Sequence, residues 1–264
     1  MSTSEAPRDH TEVTREPAPG DHEKVTTVTV RAQYTLCAER ESLRGVTAVG
    51  RVEGEPDEAK RHVAYFTDTV GERNVVPRDG LVTLGAGASS PLMVFVPILA
   101  RLFMALDRGR VDVGWSGYIV GSDVVSELLH AVAPLVGARS LVDFDVTGPQ
   151  PSRSELPGTS LFLVTAPDES GLTRLLASVP DGSMVALLVP QVDASPASIN
   201  FYETVHKKSL TLLGHEVHQN GAHQNAVRFV TTRLEAFAAD FPVRDASTSE
   251  ELAAEPPAVI MRWS

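Results

Sequence analysis

The first third of the chain contains short stretches in which apolar and polar side chains alternate. Residues 25–36 read VTTVTVRAQYTL, an alternation rich in β-branched residues that is typical of a half-buried strand. Further short strands are predicted on the same grounds within TAVGRVEG, HVAYFTDTV and GLVTL. Residues 25 to about 85 are therefore predicted to form a small, mostly β region.

The pattern changes from residue 91 onward. Residues 91–107, PLMVFVPILARLFMALD, are predicted to form a largely buried helix in which Pro97 requires a kink or an early start. Beyond it, apolar strand-like runs alternate with helical patterns, which predicts an α/β fold with a parallel sheet covered on both faces. The predicted strands are GYIVG, RSLVDFD, TSLFLVTA, SMVALLVP and SLTLLGHEV, and the predicted helices lie at 123–136, 169–178 and near 199–207.

The remaining segments set the predicted domain boundaries. Residues 147–158 are too short and too rich in Pro and Gly for a full helix and strand, so one βα unit is predicted to be reduced there. Residues 222–239 are predicted to be helical, and AVIMRW near the end is predicted to be a strand that returns to the β region. The resulting division is a disordered tail over 1–24, a β domain over 25–90 plus 240–264, and an α/β domain over 91–239.

Charge and hydropathy narrow the classes of partner. The net charge of −11 and the pI near 5.2 argue against a nucleic acid, whose binding requires clustered Lys and Arg. No run reaches the roughly 18 apolar residues of a membrane span, and the N-terminus lacks the apolar core of a signal peptide. A cytoplasmic protein without a membrane partner is predicted. The single cysteine, Cys37, excludes an internal disulfide.

Four stretches follow one another in an order that carries a family resemblance. They read TVTVRAQYTLCAERESLRG, GERNVVPRDGLVTL, INFYETVHKKSLTLLG and FPVRDAS…AVIMRW. In this order they resemble the medium-chain dehydrogenase/reductase superfamily, the zinc alcohol dehydrogenase type. The resemblance implies a Rossmann-like parallel-sheet domain joined to a mostly β, GroES-like domain formed by the N- and C-terminal segments. Because the loop between Arg44 and Gly50 is far shorter than in the family, the β domain is predicted to be truncated.

The residues that bind zinc in this family are not matched here. Zinc members use a Cys in the ligand loop, a Gly-His-Glu motif and a later Glu or Cys as ligands. This chain has Cys37 in the ligand loop, but Val46 and Thr47 follow Gly45 where His and Glu would stand. At the two possible positions of the later ligand it has Val96 and Ala100, which cannot coordinate a metal. No metal is therefore predicted, and Cys37 is interpreted as a small buried hydrophobe.

The dinucleotide fingerprint is also degenerate. A Gly-x-Gly-x-x-Gly motif needs its glycines for a tight turn, for close approach of the pyrophosphate and for helix–strand packing. Within residues 118–146, only Gly121 remains, with Asp123 and Ser126 at the second and third positions. A carboxylate at about 4 Å from a phosphate charge would repel it by roughly 4 kcal/mol, whereas Asp123 suits a helix N-cap. No cofactor is predicted; NAD(P) is the alternative, and Asp145 stands where the family's ribose-binding acid would be.

The densest cluster of titratable residues is HEVHQNGAHQN, over 215–225. This segment is predicted to be a loop near the crevice at the carboxyl ends of the strands. His215 and His218 are candidate general acid/base catalysts because the pKa of histidine lies near neutrality; an ordinary solvated loop is the alternative. The resemblance adds further candidates from the β domain that would face the crevice between the domains. These are Tyr65, Glu39 and Asp68.

The leading hypothesis is a non-redox enzyme on a degenerate medium-chain dehydrogenase scaffold. It would act as a cyclase or isomerase on a largely apolar small molecule, in a tailoring step of bacterial secondary (antibiotic) metabolism. One alternative is an NAD(P)-dependent, zinc-independent oxidoreductase. A second is a non-catalytic dimeric partner protein, and by resemblance residues 209–217 would form the edge of a homodimer.

Overall fold

The computed structural model describes residues 27–39, 43–57, 61–67, 71–85, 90–121, 124–146, 160–165, 169–189, 199–214, 220–234, 238, 241, 243–245 and 258–263. The strands among them are β1 (Thr27–Glu39), β2 (Leu43–Val52), β3 (His62–Phe66), β4 (Arg73–Pro77), β5 (Val82–Thr83), β6 (Trp115–Val120), β7 (Ala138–Asp143), β8 (Leu161–Val164), β9 (Met184–Leu187), β10 (Thr211–Leu213), β11 (Val243–Asp245) and β12 (Ala258–Arg262). The α-helices are α1 (Val96–Arg108), α2 (Val124–Val132), α3 (Glu169–Ser178) and α4 (Asn220–Thr232).

The first sheet joins the two ends of the chain. Its order is β11-β12-β1-β2-β3-β5, with β4 also paired to β1. The long strand β1 divides one of its edges between two partners, β4 over Thr27–Arg31 and β12 over Tyr34–Ala38. The indole Nε1 of Trp263 donates to Thr35 Oγ1 at 2.9 Å and fixes the C-terminal strand there. The prediction that AVIMRW returns to the β region is confirmed.

The second sheet is entirely parallel and has the order β10-β9-β8-β6-β7. In the doubly wound order 3-2-1-4-5-6, β7 and β6 take the places of strands 2 and 1, and β8, β9 and β10 take those of strands 4, 5 and 6. No described strand takes the place of strand 3. The reduced βα unit was predicted from residues 147–158, and that whole segment lies outside the described residues.

Apolar side chains cover both faces of the parallel sheet, as predicted. On one face, Ile119 and Leu163 pack with side chains of α1 and α2 in a core that also includes Leu36 and Val49 of the first sheet. On the other face, Phe162 and its neighbours pack with residues of α3 and with Val205 and Leu210. A single core therefore contains side chains from both sheets and packs the two sheets against shared helices.

The helices differ from the predicted ranges in ways that local chemistry explains. The segment predicted as one helix over 91–107 begins as a 3₁₀ turn over Pro91–Phe95, and α1 follows from Val96. Pro97 then lies in the first turn of α1, where its missing N–H would have no partner in any case. The helix predicted over 123–136 gives way to a 3₁₀ turn at Ala133, next to Pro134, and Gly137 closes it at a left-handed φ of 82°.

Two further segments also depart from the prediction. The segment near 199–207 forms a short π-helix over Tyr202–His206. Helix α4 begins at Asn220 and ends at Thr232, so the predicted helix over 222–239 was too long and the predicted loop over 215–225 is helical in its second half. The two longest helices have 13 residues each. Over the described stretches, no helix has both the length and the apolar character needed to cross a membrane.

Candidate active site

The candidate site lies where the strand order of the parallel sheet reverses, between β6 and β8. In open α/β sheets, ligands bind in the crevice outside the carboxyl ends of the strands at this point. Gly121 follows β6 with a φ of 140°, a conformation that side chains rarely allow. The first fingerprint glycine therefore keeps a backbone conformation that favours glycine.

A serine, Ser126, occupies the third glycine position of the dinucleotide fingerprint. Ser126 lies in the first turns of α2, is only 5% exposed, and its hydroxyl is 3.3 Å from that of Thr165, just after β8. Thr165 also donates a long hydrogen bond of 3.4 Å to the carbonyl of Val120, at the end of β6. Where a dinucleotide site uses a glycine for close helix–strand packing, this chain therefore has a pair of hydroxyls joining α2 to β8.

The residues present do not fit a catalytic zinc. Cys37 is fully buried, and burial raises the pKa of its thiol to about 12, so the thiolate that a metal requires is disfavoured. The Thr47 hydroxyl donates to the carbonyl of Val94 at 2.6 Å, and this hydrogen bond joins β2 to the 3₁₀ turn before α1. Val96 and Ala100 are buried in the core. Within the described residues, no three His, Cys, Asp or Glu side chains form a group suited to a metal ion.

Arg101 of α1 is a buried charged residue that lies between β3 of the first sheet and the carboxyl end of β9 in the parallel sheet. It is only 8% exposed. Its Cζ lies 4.3 Å from the ring centroid of Phe66, at the end of β3, and its Nη1 donates a long hydrogen bond of 3.4 Å to the carbonyl of Leu188, just after β9. Arg101 thus lies between the first sheet and the carboxyl end of β9, one strand away from the switch point.

The guanidinium of Arg101 is charged but poorly paired. Burial lowers the pKa of Arg101 to about 10, which still leaves it protonated at neutral pH. Its Nε is buried without a hydrogen-bond partner. A buried cation is normally paired with a carboxylate or fully hydrogen-bonded, because desolvation otherwise destabilises it.

Sequence reasoning missed Arg101 because it lies within the apolar run VPILARLFMALD. A signal was nevertheless present. Arg101 follows Ile98 by three residues and precedes Ala105 by four, so helical spacing places all three on one face, and the other two are fully buried. A charged residue at a core-facing position of a buried helix is uncommon enough to mark a candidate functional residue.

The structure describes only part of the predicted catalytic set. His215 and His218, and also Asp68, lie outside the described residues. Glu39 is the last residue of β1, and its backbone pairs with Leu43. Tyr65 lies in β3 and is fully buried; its hydroxyl accepts a hydrogen bond from Asn74 Nδ2 at 2.9 Å, and desolvation raises its pKa to about 12. A bound molecule could reach Tyr65 only if this part of the sheet opened.

Solved structures of similar fold belong to medium-chain dehydrogenases/reductases. Galactitol-1-phosphate dehydrogenase from Escherichia coli matches with a TM-score of 0.56 and 13% identity over 94% of this chain and 96% of its own. The YhdH oxidoreductase from Salmonella enterica, in complex with NADP, matches with a TM-score of 0.53 and 17% identity over 94% of each chain. Haloferax mediterranei glucose dehydrogenase, in complex with NADP, Zn and gluconolactone, matches with a TM-score of 0.55 and 14% identity over 99% of this chain and 95% of its own.

These identities show the fold and leave the activity open. No protein-family model matches the sequence, and no curated protein matches it either. The chain has the medium-chain dehydrogenase/reductase fold, with a Rossmann-like parallel sheet and a mostly antiparallel second sheet, as the resemblance implied.

Proposed function

We propose that this protein is a non-redox enzyme that uses the crevice of a dehydrogenase fold to bind a largely apolar small molecule. The observation that carries the proposal is the hydroxyl pair of Ser126 and Thr165 at the switch point, where a dinucleotide site would have a glycine. Asp123 adds a carboxylate where a second glycine would admit the pyrophosphate. Together these residues disfavour the hydride donor on which the chemistry of a dehydrogenase depends.

The reaction that suits such a crevice is a cyclisation or an isomerisation. A substrate that already contains its reactive groups needs mainly to be held in a near-attack conformation, and this alone can contribute several kcal/mol to lowering the barrier. We place His215 and His218 as the general acid and base, with Glu39 as a further candidate; Tyr65 is left out because it is fully buried. A tailoring step in bacterial secondary metabolism, carried out in the cytoplasm, is the setting we propose.

The mass of the product tests this proposal directly. Candidate pathway intermediates would be incubated with the protein, without added nucleotide, and analysed by liquid chromatography and mass spectrometry. An isomerase, or a cyclase that closes its ring by addition, gives a product with the same mass as its substrate, and a cyclase that eliminates water gives one lighter by a water molecule. An oxidoreductase instead changes the mass by a pair of hydrogen atoms. A product that forms only with NAD(P)H and carries two additional hydrogens would overturn the proposal.

The acid/base assignment has its own test. His215→Ala and His218→Ala should each lower turnover by about two to four orders of magnitude if the histidine transfers a proton in the rate-limiting step. His206→Ala is a matched control, because His206 is an exposed residue of the π-helix. Unchanged turnover in both single variants would remove the acid/base role and leave only positioning of the substrate.

A second candidate function is an NAD(P)-dependent, zinc-independent oxidoreductase. It is favoured by the positive φ of Gly121 after β6, which keeps the first turn of a dinucleotide site. Two of the similar structures contain NADP. Binding of NADPH to the purified protein separates this candidate from the non-redox enzyme.

We also propose that the protein forms a homodimer through β10, which would suit either an enzyme or a non-catalytic partner protein. Within the described sheet, β10 pairs only with β9 and presents an unpaired edge. Leu212 of β10 is 41% exposed, and Phe201 and Tyr202 of the preceding segment are 64% and 58% exposed. Exposed apolar side chains beside an open strand edge favour association with a second copy.

A further inference from the structure

The buried guanidinium of Arg101 has more donors than it uses. An arginine carries five N–H donors in a planar fork. Of these, one on Nη1 makes the long hydrogen bond to the Leu188 carbonyl, at 3.4 Å. The Nε of Arg101 has no partner, and over the described part of the chain no carboxylate lies within ion-pair distance of it. The fork therefore retains most of its capacity to bind an anion.

The surroundings of Arg101 favour an anion that brings apolar surface with it. The Phe66 ring faces the guanidinium at 4.3 Å, and the side chains flanking Arg101 on α1 are apolar and buried. A cation in such surroundings is only weakly screened, so an added negative charge would interact with it more strongly than at the protein surface. An apolar ligand body would be compatible with the same walls.

Arg101 lies near the carboxyl ends of the parallel strands. Its partner Leu188 follows the carboxyl end of β9, next to β8 in the parallel sheet. Ligands of doubly wound folds bind outside this end of the strands. One face of the guanidinium is covered by the ring of Phe66, at the end of β3. Arg101 therefore presents its charge at the junction of the two sheets, where the proposed substrate would bind.

We propose that Arg101 is the anion-binding residue of the crevice and that the substrate is an amphiphilic molecule with an apolar body and a carboxylate. This inference deepens the proposed function and rests on it. The guanidinium fork matches the two oxygens of a carboxylate and can form two parallel charge-assisted hydrogen bonds with them. Arg101 thereby fixes one end of the substrate, and the orientation of the reacting groups follows from that anchor.

Two fluorescent probes with the same ring skeleton test the proposal. One is 8-anilinonaphthalene-1-sulfonate, which is anionic, and the other is N-phenyl-1-naphthylamine, which lacks the sulfonate. Arg101→Met should weaken binding of the anionic probe at least tenfold and change binding of the neutral probe less than twofold. Equal effects on both probes, or no effect on either, would overturn the proposal.

A matched variant tests whether the anionic probe binds instead at a second place on the molecule that carries arginines. A groove of about 730 Å³ between α1 and α4 is lined by Phe103, Phe229 and Arg228. Arg233 also lines this groove, so the double variant Arg228→Met/Arg233→Met removes both charges from exposed positions and should leave binding of the anionic probe unchanged. If the double variant weakens that probe and Arg101→Met does not, the anion site is in the groove and the proposal is wrong.

Competition identifies the chemistry of the ligand. Decanoate should displace the anionic probe from the wild-type protein, and decanamide and inorganic phosphate should do so at least tenfold less well. Arg101→Lys, which keeps the charge but not the planar fork, should weaken decanoate binding less than Arg101→Met does. Equal displacement by decanoate and decanamide would show that the charge has no role.

Thermal unfolding separates ligand binding from a structural role. Because Arg101 is a buried charge with unused donors, Arg101→Met should leave the Tm unchanged or raise it by a few degrees. A loss of ten degrees or more would indicate that Arg101 stabilises the fold, against the proposal. None of these measurements involves turnover or NADPH, so a failed anion site and a failed non-redox assignment can be told apart.

Discussion

Burial decides what Cys37 can do. Its thiol is fully buried, its Sγ lies 3.8 Å from the Thr35 carbonyl, and its pKa is raised to about 12 by desolvation. The sequence interpretation of Cys37 as a small buried hydrophobe agrees with this environment. The burial of Arg101 was not predicted from the sequence. Composition and periodicity assign an arginine to the surface unless the full face of its helix is considered.

The raised pKa of Cys37 predicts a loss of stability at alkaline pH. The unfolded thiol loses its proton near pH 9.0, whereas the folded one keeps it to about pH 12. The contribution of the Cys37 thiol to the free energy of unfolding is therefore fully present below about pH 9 and is lost as the pH rises toward 12. Urea unfolding at several pH values should show a smaller alkaline decline in Cys37→Ala than in the wild type. Tyr65, whose pKa is also raised to about 12, contributes to the decline that remains.

A thiol that titrates normally would give a different result. The free energy of unfolding would then change with pH in the same way in both proteins, apart from a constant offset from the lost packing of the Cys37 side chain. Parallel curves would therefore contradict the burial of Cys37.

At the scale of elements, Thr47 joins β2 to the start of α1. Its hydroxyl donates to the Val94 carbonyl across 47 residues of sequence, and Thr47 is fully buried. Thr47→Val removes this hydrogen bond while keeping the shape of the side chain, so it should lower the free energy of unfolding by about 1–3 kcal/mol. Chemical denaturation measures the change. Thr83→Val, at an exposed position of β5, is the matched control and should change it by less than about 0.5 kcal/mol. Equal effects of the two substitutions would contradict this account of Thr47.

The exposed edge of β10 predicts a dimer that one charge should disrupt. Leu212→Glu places a carboxylate on the proposed interface, so sedimentation velocity should show a dimer for the wild type and a monomer for the variant. Val113→Glu is a control because Val113 is 90% exposed and lies in the turn before β6. A wild-type monomer at micromolar concentration, or a dimer that persists in Leu212→Glu, would contradict the proposed interface.

Element boundaries were less predictable than the elements themselves. The alternating pattern predicted β1, and the apolar runs predicted the parallel strands, because burial on one or both faces leaves a direct mark on the sequence. The 3₁₀ turn before α1 and the π-helix over Tyr202–His206 depend on hydrogen bonds whose register is not visible in that pattern. Helix α4 stops at Thr232 although apolar residues continue beyond it.

At the scale of the whole molecule, the parallel sheet follows from the alternation of strands and helices, and the chain's resemblance to a known family extends over both sheets. The site was less predictable. His215 and His218 were selected for their pKa and lie outside the described residues. Within the described residues, Arg101 contacts Phe66 and Ser126 pairs with Thr165. These contacts join positions far apart in the chain, such as Arg101 and Leu188, and local patterns do not contain that information.

The central claim is that this dehydrogenase fold operates without a nicotinamide cofactor. Titration of the purified protein with NADH and with NADPH, followed by the fluorescence of the reduced nicotinamide, tests it most directly. Because Asp123 and Ser126 occupy two fingerprint glycine positions, we predict no saturable change up to several hundred micromolar of either nucleotide. A saturable signal with a dissociation constant in the micromolar range, for either nucleotide, would contradict the claim.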